Sequence, residues 1–414
     1  MPTKPFDALA AAVRANDVYG AGQLLQSHPE LSAKLDEPAP GGSFGGTVLL
    51  SAVDSKNREM VDLLLQHGAD INARSVWWAG SFGVLDNCDP ALADFLVERG
   101  ATVDVHAAAR LGRFDRLKAL VEANPDLVHA RGGDGQTPLH FASTVEIATY
   151  LLAHGADIDA LDVDHESTPA QYMIRDRQDI ARLLVTRGCK TDILMAAALG
   201  ATELVRKHLD ADPAAIHTRV NRKSFPMHHL HSGGTIYTWT LGAEKSPHVV
   251  AHEFGHEDIV QLLMERSPDT LKLTQACQIG DEALVRSLLQ KNSYLAKSLS
   301  EDEQSQIAVA AQSNKNSAVR LMIDAGWPVD ARGELNGTAL HHAAWMGNAE
   351  IVRDLLEHGA QVEIRGDHYD MTPLGWALHG SEHSWRKESG KYDEVVQLLM
   401  DAGAKMPTLT TEIP

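Results

Sequence analysis

Cysteine is scarce in this chain of 414 residues, which contains three: Cys88, Cys189 and Cys277. Thiols so few and so far apart exclude a disulfide framework and favour a reducing compartment. Basic residues are also in deficit, with 37 Lys and Arg against 56 Asp and Glu and a formal net charge of −19. This balance argues against nucleic acid or an anionic membrane surface as the partner.

Long apolar runs are missing as well. The chain has no stretch of eighteen consecutive apolar residues, so no membrane span is predicted. The N-terminal segment MPTKPFDALAAAVRAND is interrupted by Arg14 and Asp17, and it lacks the apolar region and cleavage pattern of a signal peptide. We therefore expect a soluble, acidic, cytoplasmic protein.

A short helical pattern recurs along the chain. It is a leucine-rich segment that ends in glycine, as in MVDLLLQHGADIN (60–72), IATYLLAHGADID (147–159) and IVRDLLEHGAQVE (351–363). The terminal glycines are Gly68, Gly100, Gly155, Gly188, Gly359 and Gly403. They stand where a helix end favours a left-handed residue. The interval is 32 residues from Gly68 to Gly100 and 33 from Gly155 to Gly188, which indicates one structural unit copied many times.

A second string precedes several of these segments. It reads TPLHFA (137–142), TPAQYM (168–173), TALHHAAWMG (338–347) and TPLGWAL (372–378). Threonine suits a helix start, and proline suits the first turn. A helix–turn–helix unit of this length with T-P-L-H resembles the ankyrin repeat, here in a long array of bacterial type. The resemblance implies an all-α solenoid of about twelve repeats with β-hairpin-like fingertip loops.

The repeat pattern covers nearly the whole chain. The predicted helix pairs lie near 6–27, 47–67, 77–99, 105–123, 137–154, 168–187, 193–210, 225–242, 246–266, 271–290, 305–325 and 338–358, and a last unit lies at 372–402. No linker is evident, so we predict one continuous solenoid over residues 1–408 and a short tail over 409–414. Four variant segments lack T-P-L-H and end differently: LLQSHPELSAKL, LVEANPDLVHAR, HLDADPAAIHTR and LLQKNSYLAKSL.

The string HEFGH (252–256) fits the H-E-x-x-H pattern of zinc proteases, in which two histidines on one helix bind the metal. In the ankyrin register, however, Gly255 begins the turn between two helices, so His252 and His256 belong to different elements. We therefore reject a protease site. No cofactor and no bound metal are predicted, and metal binding by two or three of His229, His231 and His252 is the alternative. His252 stays a candidate pocket residue, because the family has a small residue at its position.

Aromatic and histidine side chains fill positions that the resemblance assigns to the concave face. Large, half-exposed aromatics in a groove are typical of a binding surface. The predicted ligand-binding residues are Trp77, Trp78, Phe141, Tyr172, His229, His231, Tyr237, Trp239, His252, His342, Trp345, Trp376 and His379.

The densest departure from the repeat is RKSFPMHHLHSGGTIYTWTLGAEKSP (222–247). Its TIYTWT string alternates β-formers, which predicts an irregular extended or hairpin insertion near 232–242. Local departures of this kind mark functional positions in repeat proteins. If the protein is an enzyme, His229, His231, Tyr237 and Lys245 are the candidate catalytic residues.

Weaker motifs fail on spacing. DVDHE (162–166) and GDHYD (366–370) are acidic fingertips without the glycine and spacing of a calcium loop. GGSFGGT (41–47) has no lysine after it and is therefore not a phosphate-binding loop.

Two hypotheses for the function remain. The preferred one is a monomeric scaffold whose concave groove binds a protein partner, and the alternative is an enzyme or a sugar- or aromatic-ligand protein with a pocket centred on residues 225–252.

Overall fold

The computed structural model describes residues 4–366 and 370–406. The chain divides into two compact units. The first comprises residues 1–211 and 218–245, and the second comprises residues 212–217 and 246–414. The described residues contain no named strand, and their isolated bridge joins Arg332 and Thr338. The predicted all-α class is confirmed.

Each unit is a succession of short helices. The helices of the first unit are α1 (Pro5–Arg14), α2 (Val18–Ser27), α3 (Val48–Asp54), α4 (Arg58–Gln66), α5 (Pro90–Glu98), α6 (Val105–Arg110), α7 (Phe114–Ala123), α8 (Pro138–Phe141), α9 (Val145–Ala153), α10 (Pro169–Met173), α11 (Gln178–Thr186), α12 (Ile193–Ala198) and α13 (Thr202–Ala211). Those of the second are α14 (Pro247–Glu253), α15 (Glu257–Arg266), α16 (Asp269–Ile279), α17 (Glu282–Lys291), α18 (Glu301–Gln304), α19 (Gln306–Gln312), α20 (Asn316–Asp324), α21 (Ala339–Trp345), α22 (Ala349–Glu357), α23 (Pro373–His383) and α24 (Tyr392–Asp401).

The threonine of these strings and the residue three positions later form a reciprocal cap at the start of a helix. The Thr338 backbone N–H donates to Nδ1 of His341 at 3.1 Å, and the His341 ring also contacts the Thr338 hydroxyl at 2.9 Å. Gln171 replaces the histidine at the start of α10, where the Thr168 N–H donates to its Oε1 at 2.8 Å. Histidine and glutamine therefore perform the same capping function in this chain.

Helix pairs stack on their neighbours in both units. In the first unit α6 packs on α8 and α8 on α10, and in the second α19 packs on α21 and α21 on α23. The apolar side chains of successive pairs form a shared core, as in α21 and α22, where Leu340, Ile351 and Leu355 are fully buried. Stability therefore comes from contacts between adjacent repeats.

The four variant segments share a structural reason. After α2, α7, α13 and α17 the chain makes a 3₁₀ turn, at Pro29–Lys34, Pro125–His129, Pro213–His217 and Leu295–Ser298 respectively. Each turn buries an apolar side chain, such as Leu31 or Val128. An apolar 3₁₀ turn thus takes the place of the left-handed glycine that ends most of the other repeats.

Two of the predicted helix pairs are wrong. In the segment 77–99 only α5 forms, because residues 74–88 make a glycine-containing loop in which Ser75 N–H donates to the carbonyl of Phe82 at 2.8 Å. In the segment 225–242 no helix pair forms. The extended conformation predicted there fails at Thr238–Gly242, which is a π-helical turn. The neighbouring Tyr237 is fully buried, and the turn contacts α10.

No helix in the described part of the chain is long and apolar enough to span a bilayer. The single continuous solenoid over residues 1–408 stays a prediction, and the tail at 409–414 lies outside the described residues.

Candidate functional site

The second unit contains a pocket of about 350 Å³ that we call the aromatic pocket. Its lining residues are Gln312, Glu334, Leu335, His342, Trp345, Met371, Trp376, His379 and Trp385. Four of the predicted ligand-binding residues, His342, Trp345, Trp376 and His379, therefore meet in one place. Trp385 and the polar Gln312 and Glu334 were not among the predicted site residues.

Three neighbouring segments position this pocket. Helix α21 supplies His342 and Trp345, and α23 supplies Trp376 and His379. The helices approach closely at Gly380, where a Cβ atom would lie 2.5 Å from the carbonyl oxygen of Trp345. Trp385 follows from the segment after α23 and is 75% exposed.

Ring contacts fix the orientation of the pocket side chains. The ring centroids of His342 and Trp376 are 5.3 Å apart in an edge-to-face arrangement, and those of Trp345 and His379 are 5.5 Å apart. Both His342 and Trp376 are buried. Such contacts stabilise a preformed aromatic surface before any partner arrives.

The pocket histidines are neutral near pH 7. Burial lowers the pKa of His342 to about 4, against the weaker opposing effect of the Glu334 carbonyl. Burial also lowers the pKa of His379. The charge in the lining comes from Glu334, whose Oε2 accepts a hydrogen bond from Gln312 Nε2 at 2.9 Å. The pocket is therefore apolar and aromatic with one carboxylate at its edge.

A second group of predicted residues meets in the first unit. Trp78 stacks on His229 with centroids 4.2 Å apart, and it lies 6.2 Å from both Trp77 and His231. We call these four residues the Trp–His cluster. Both histidines are exposed. They belong to the irregular segment over residues 219–245, which we call the insertion and which is longer than the one predicted near 232–242. The tryptophans belong to the loop over 74–88.

Fingertip residues tie the insertion down. Oε1 of Glu166 accepts hydrogen bonds from the backbone N–H groups of His228 and His229, each at 2.8 Å. Asp164 Oδ1 accepts from Gly233 N–H at 3.0 Å. The acidic fingertip over residues 162–166 therefore holds the cluster. The sequence alone does not indicate this role, because the partners of the fingertip lie more than sixty residues away along the chain.

Tyr237 is fully buried, and its hydroxyl donates to Asp192 Oδ2 at 2.8 Å. It holds the insertion in place and has no free surface for a ligand. Trp239, by contrast, is 71% exposed. Lys245 is half-buried at the end of the insertion, where its carbonyl accepts from Val220 N–H at 3.1 Å.

The other candidates are scattered. Phe141 packs edge-to-face on His106, and the Tyr172 hydroxyl donates to Asp162 Oδ2 at 3.1 Å. His252 is exposed and lies 3.1 Å from Glu257. Because α14 ends at Glu253 and α15 begins at Glu257, His252 and His256 do not share a helix. The HEFGH string therefore lacks the geometry of a zinc protease.

Comparison with known families agrees with the geometry of the repeats. The model described as ankyrin repeats (3 copies) matches residues 105–194, 273–366 and 307–409, and the single ankyrin repeat model matches residues 44–76. The matches to the three-copy model alone span more than half of the chain. The chain belongs to the ankyrin-repeat family. Ankyrin repeats are generally protein–protein interaction scaffolds, and ankyrin-repeat domains typically bind protein partners.

Individual relatives are distant. The ankyrin chain is 26% identical to the human transient receptor potential cation channel subfamily A member 1 over 449 aligned positions, which cover 92% of this chain and 35% of the channel. It is 23% identical to the E3 ubiquitin-protein ligase KEG of Arabidopsis thaliana, over 80% of this chain and 18% of the ligase. The chain thus spans about a third or less of these relatives. The human ASB11 ankyrin repeat domain matches with 18% identity and a TM-score of 0.30, covering 73% of this chain and 99% of that domain.

Proposed function

We propose that this ankyrin-repeat protein is a binding scaffold that recognises a protein partner by enclosing an apolar or aromatic side chain in the aromatic pocket. The observation that carries the proposal is the pocket itself, in which three tryptophans, two neutral histidines and a methionine converge. Tryptophan-rich concave pockets are where the binding energy of protein interfaces concentrates.

The exposure of the tryptophans supports this use. Trp376 is buried and forms a fixed wall, whereas Trp385 is 75% exposed and can close on a bound side chain. Enclosing one apolar or aromatic side chain of the partner removes on the order of 100 Å² of apolar surface from water. This burial favours binding by about 2–3 kcal/mol. Because the net charge is −19 and Glu334 lies at the edge, we expect the partner segment to be neutral or basic.

A peptide-display selection tests this function. We expect a random peptide library selected on the full protein to yield sequences with a shared aromatic or apolar anchor. Trp385→Ala should weaken their binding by about 2 kcal/mol, or about 30-fold in Kd, because the anchor loses its cover. Fluorescence anisotropy of labelled peptides measures the change.

Trp239→Ala is the matched control, because Trp239 is also largely exposed, at 71% against 75% for Trp385. It should leave the peptide affinities unchanged. Selected peptides that bind Trp385→Ala as tightly as the unmodified protein, but lose affinity for Trp239→Ala, would place recognition outside the aromatic pocket and refute the proposal.

A small aromatic ligand is the second candidate for the same pocket. Its volume of about 350 Å³ lies at the lower end of the range for small-molecule sites. A competition experiment distinguishes the peptide from the small ligand as occupant of the aromatic pocket. A compound that binds at micromolar concentration but displaces no selected peptide would show that the two do not share this site. The monomeric state and the cytoplasmic location remain predictions.

A further inference from the structure

Two carboxylates and an imidazole converge in the first unit, away from the aromatic pocket. Asp134, Asp164 and His165 each offer one ligand atom, and these atoms all lie within 4.8 Å of one another. Asp164 and His165 are 5% and 9% exposed, so the group is largely withdrawn from water. We propose that these three residues bind a divalent transition-metal ion.

The hydrogen bond on the far side of His165 prepares its ring for this role. Nδ1 lies 2.7 Å from the backbone carbonyl oxygen of Gly234. Because a carbonyl oxygen can only accept, Nδ1 carries the proton, and the lone pair of the neutral ring is on Nε2. That atom lies 3.5 Å from Oδ2 of Asp164. A backbone carbonyl that fixes the tautomer is the usual outer partner of a metal-binding histidine.

Each carboxylate is held by one oxygen and has the other available. Oδ1 of Asp134 accepts from Trp77 Nε1 at 3.0 Å, and Oδ1 of Asp164 accepts from Gly233 N–H at 3.0 Å. Among the described residues, the remaining Oδ2 atoms accept no hydrogen bond of normal length.

The backbone around the ligands is already fixed. Asp134 adopts a left-handed conformation with φ of 53°, and its carbonyl oxygen accepts from Val163 N–H at 2.8 Å. Asp162 holds the second fingertip, because its Oδ2 accepts from His165 N–H at 2.8 Å and its Oδ1 from Ser167 N–H at 2.7 Å. The two fingertips are one repeat apart in sequence and adjacent in space, so little rearrangement is needed to bind an ion.

The ligand chemistry selects the class of ion. One imidazole and two carboxylates suit Zn²⁺, Co²⁺ or Mn²⁺, whereas Ca²⁺ requires six to eight oxygens. Ligand atoms around a tetrahedral Zn²⁺ ion are about 3.3 Å apart, close to the 3.5 Å between Asp164 Oδ2 and His165 Nε2. The Asp134 ligand oxygen lies within 4.8 Å of both of these atoms, so its side chain must move closer to complete the triangle. Water would fill the remaining coordination positions.

A bound ion would tie three segments together. Asp134 belongs to one fingertip, and Asp164 and His165 to the next. The last two also bind the insertion through Gly233 and Gly234. Because the insertion carries His229 and His231, metal binding would order the Trp–His cluster. The inferred role is therefore a structural clamp on an irregular part of the array.

Metal titration of the full protein tests the inference. After chelator treatment, Zn²⁺ alone should bind with one-to-one stoichiometry by isothermal titration calorimetry and should raise the midpoint of thermal unfolding. Asp134→Asn and Asp164→Asn should each weaken Zn²⁺ binding at least about 100-fold, since even the loss of an outer partner costs 10- to 100-fold. Co²⁺ should give visible absorption bands with nitrogen and oxygen ligands, without thiolate charge transfer.

The asparagine variants keep the size of the carboxylates and remove like charge, so without metal they should unfold no earlier than the unmodified protein. The control is the double variant His229→Ala/His231→Ala, which should retain Zn²⁺ affinity within about threefold. Three results would overturn the assignment: unchanged affinity in Asp134→Asn, loss of binding in the double histidine variant, or preference for Ca²⁺ over Zn²⁺.

Discussion

Acidification from pH 7.5 to pH 5 should cost the second unit about 4 kcal/mol of stability, through His341 and His342. Burial lowers the pKa of each to about 4, from an ordinary value of 6.5, and His341 is further disfavoured as a cation by His342 and Arg332. Because the unfolded chain takes up these protons first, the stability is complete above pH 6.5 and is lost progressively down to about pH 4. At pH 5 each histidine accounts for about 2 kcal/mol.

The first unit should lose less over the same interval. Its buried His140 has a pKa lowered to about 3, which acts in the same direction. Burial, however, raises the pKa of Asp86 and Asp192, and protonation of these carboxyls in the folded state offsets part of the loss. Amide hydrogen exchange, corrected for the intrinsic rate at each pH, measures the opening free energy of α21 and α22 against that of α8 and α9.

His341→Gln is the decisive variant, because the chain itself uses Gln171 in the same reciprocal cap. It should keep the cap and lose the contact of His341 Nε2 with the Met371 carbonyl, at a cost of about 1 kcal/mol at pH 7.5. The stability that this variant loses between pH 7.5 and pH 5 should be about 2 kcal/mol smaller than the loss of the unmodified protein. An identical acid loss in both proteins would exclude His341 as a source.

The repeats could be predicted because their determinants are local. A threonine, a residue three positions later and a terminal glycine specify several of the helix pairs, and the apolar period specifies their buried face. Thr338 illustrates this, since the threonine at the predicted helix start is the N-cap of α21. The two failures, at 77–99 and 225–242, lie where a loop replaces a helix because of partners far away in sequence, such as Asp192 for Tyr237.

Of the two candidate sites, the sequence predicts residues of the aromatic pocket but not the group of Asp134, Asp164 and His165. His342, Trp345, Trp376 and His379 share a pocket because equivalent positions of adjacent repeats stack, which the register implies. The acidic fingertip DVDHE is incomplete as a metal site in itself, and the third proposed ligand, Asp134, belongs to the preceding repeat. Asp134 and Asp164 lie about one repeat apart in sequence, so the register of the repeats places their two fingertips side by side.

Replacing Asp192 with alanine should destabilise the first unit by about 4 kcal/mol, through one buried carboxylate that serves two elements. Its Oδ1 caps α12, accepting from Met195 N–H at 2.9 Å, and its Oδ2 accepts from the hydroxyl of Tyr237 at 2.8 Å. All six residues of α12 are buried, so the uncapped N–H groups would have no water to replace the carboxylate. The proton of the buried Tyr237 hydroxyl would also lose its acceptor, although Gln171 still contacts this hydroxyl.

Urea unfolding of four variants separates these effects. Asp192→Asn keeps the shape and an acceptor for the cap and should cost about 1 kcal/mol, and Tyr237→Phe should cost 1 to 2 kcal/mol, or about that of one buried hydrogen bond. The double variant Asp192→Ala/Tyr237→Phe should be less destabilised than the sum of the single ones by about 1–2 kcal/mol, because phenylalanine has no hydroxyl to leave unpaired. Hydrogen exchange should rise across residues 228–242 in Asp192→Ala, since the insertion loses its buried anchor. Additive costs, or an insertion as protected as before, would show that Tyr237 does not hold the insertion through Asp192.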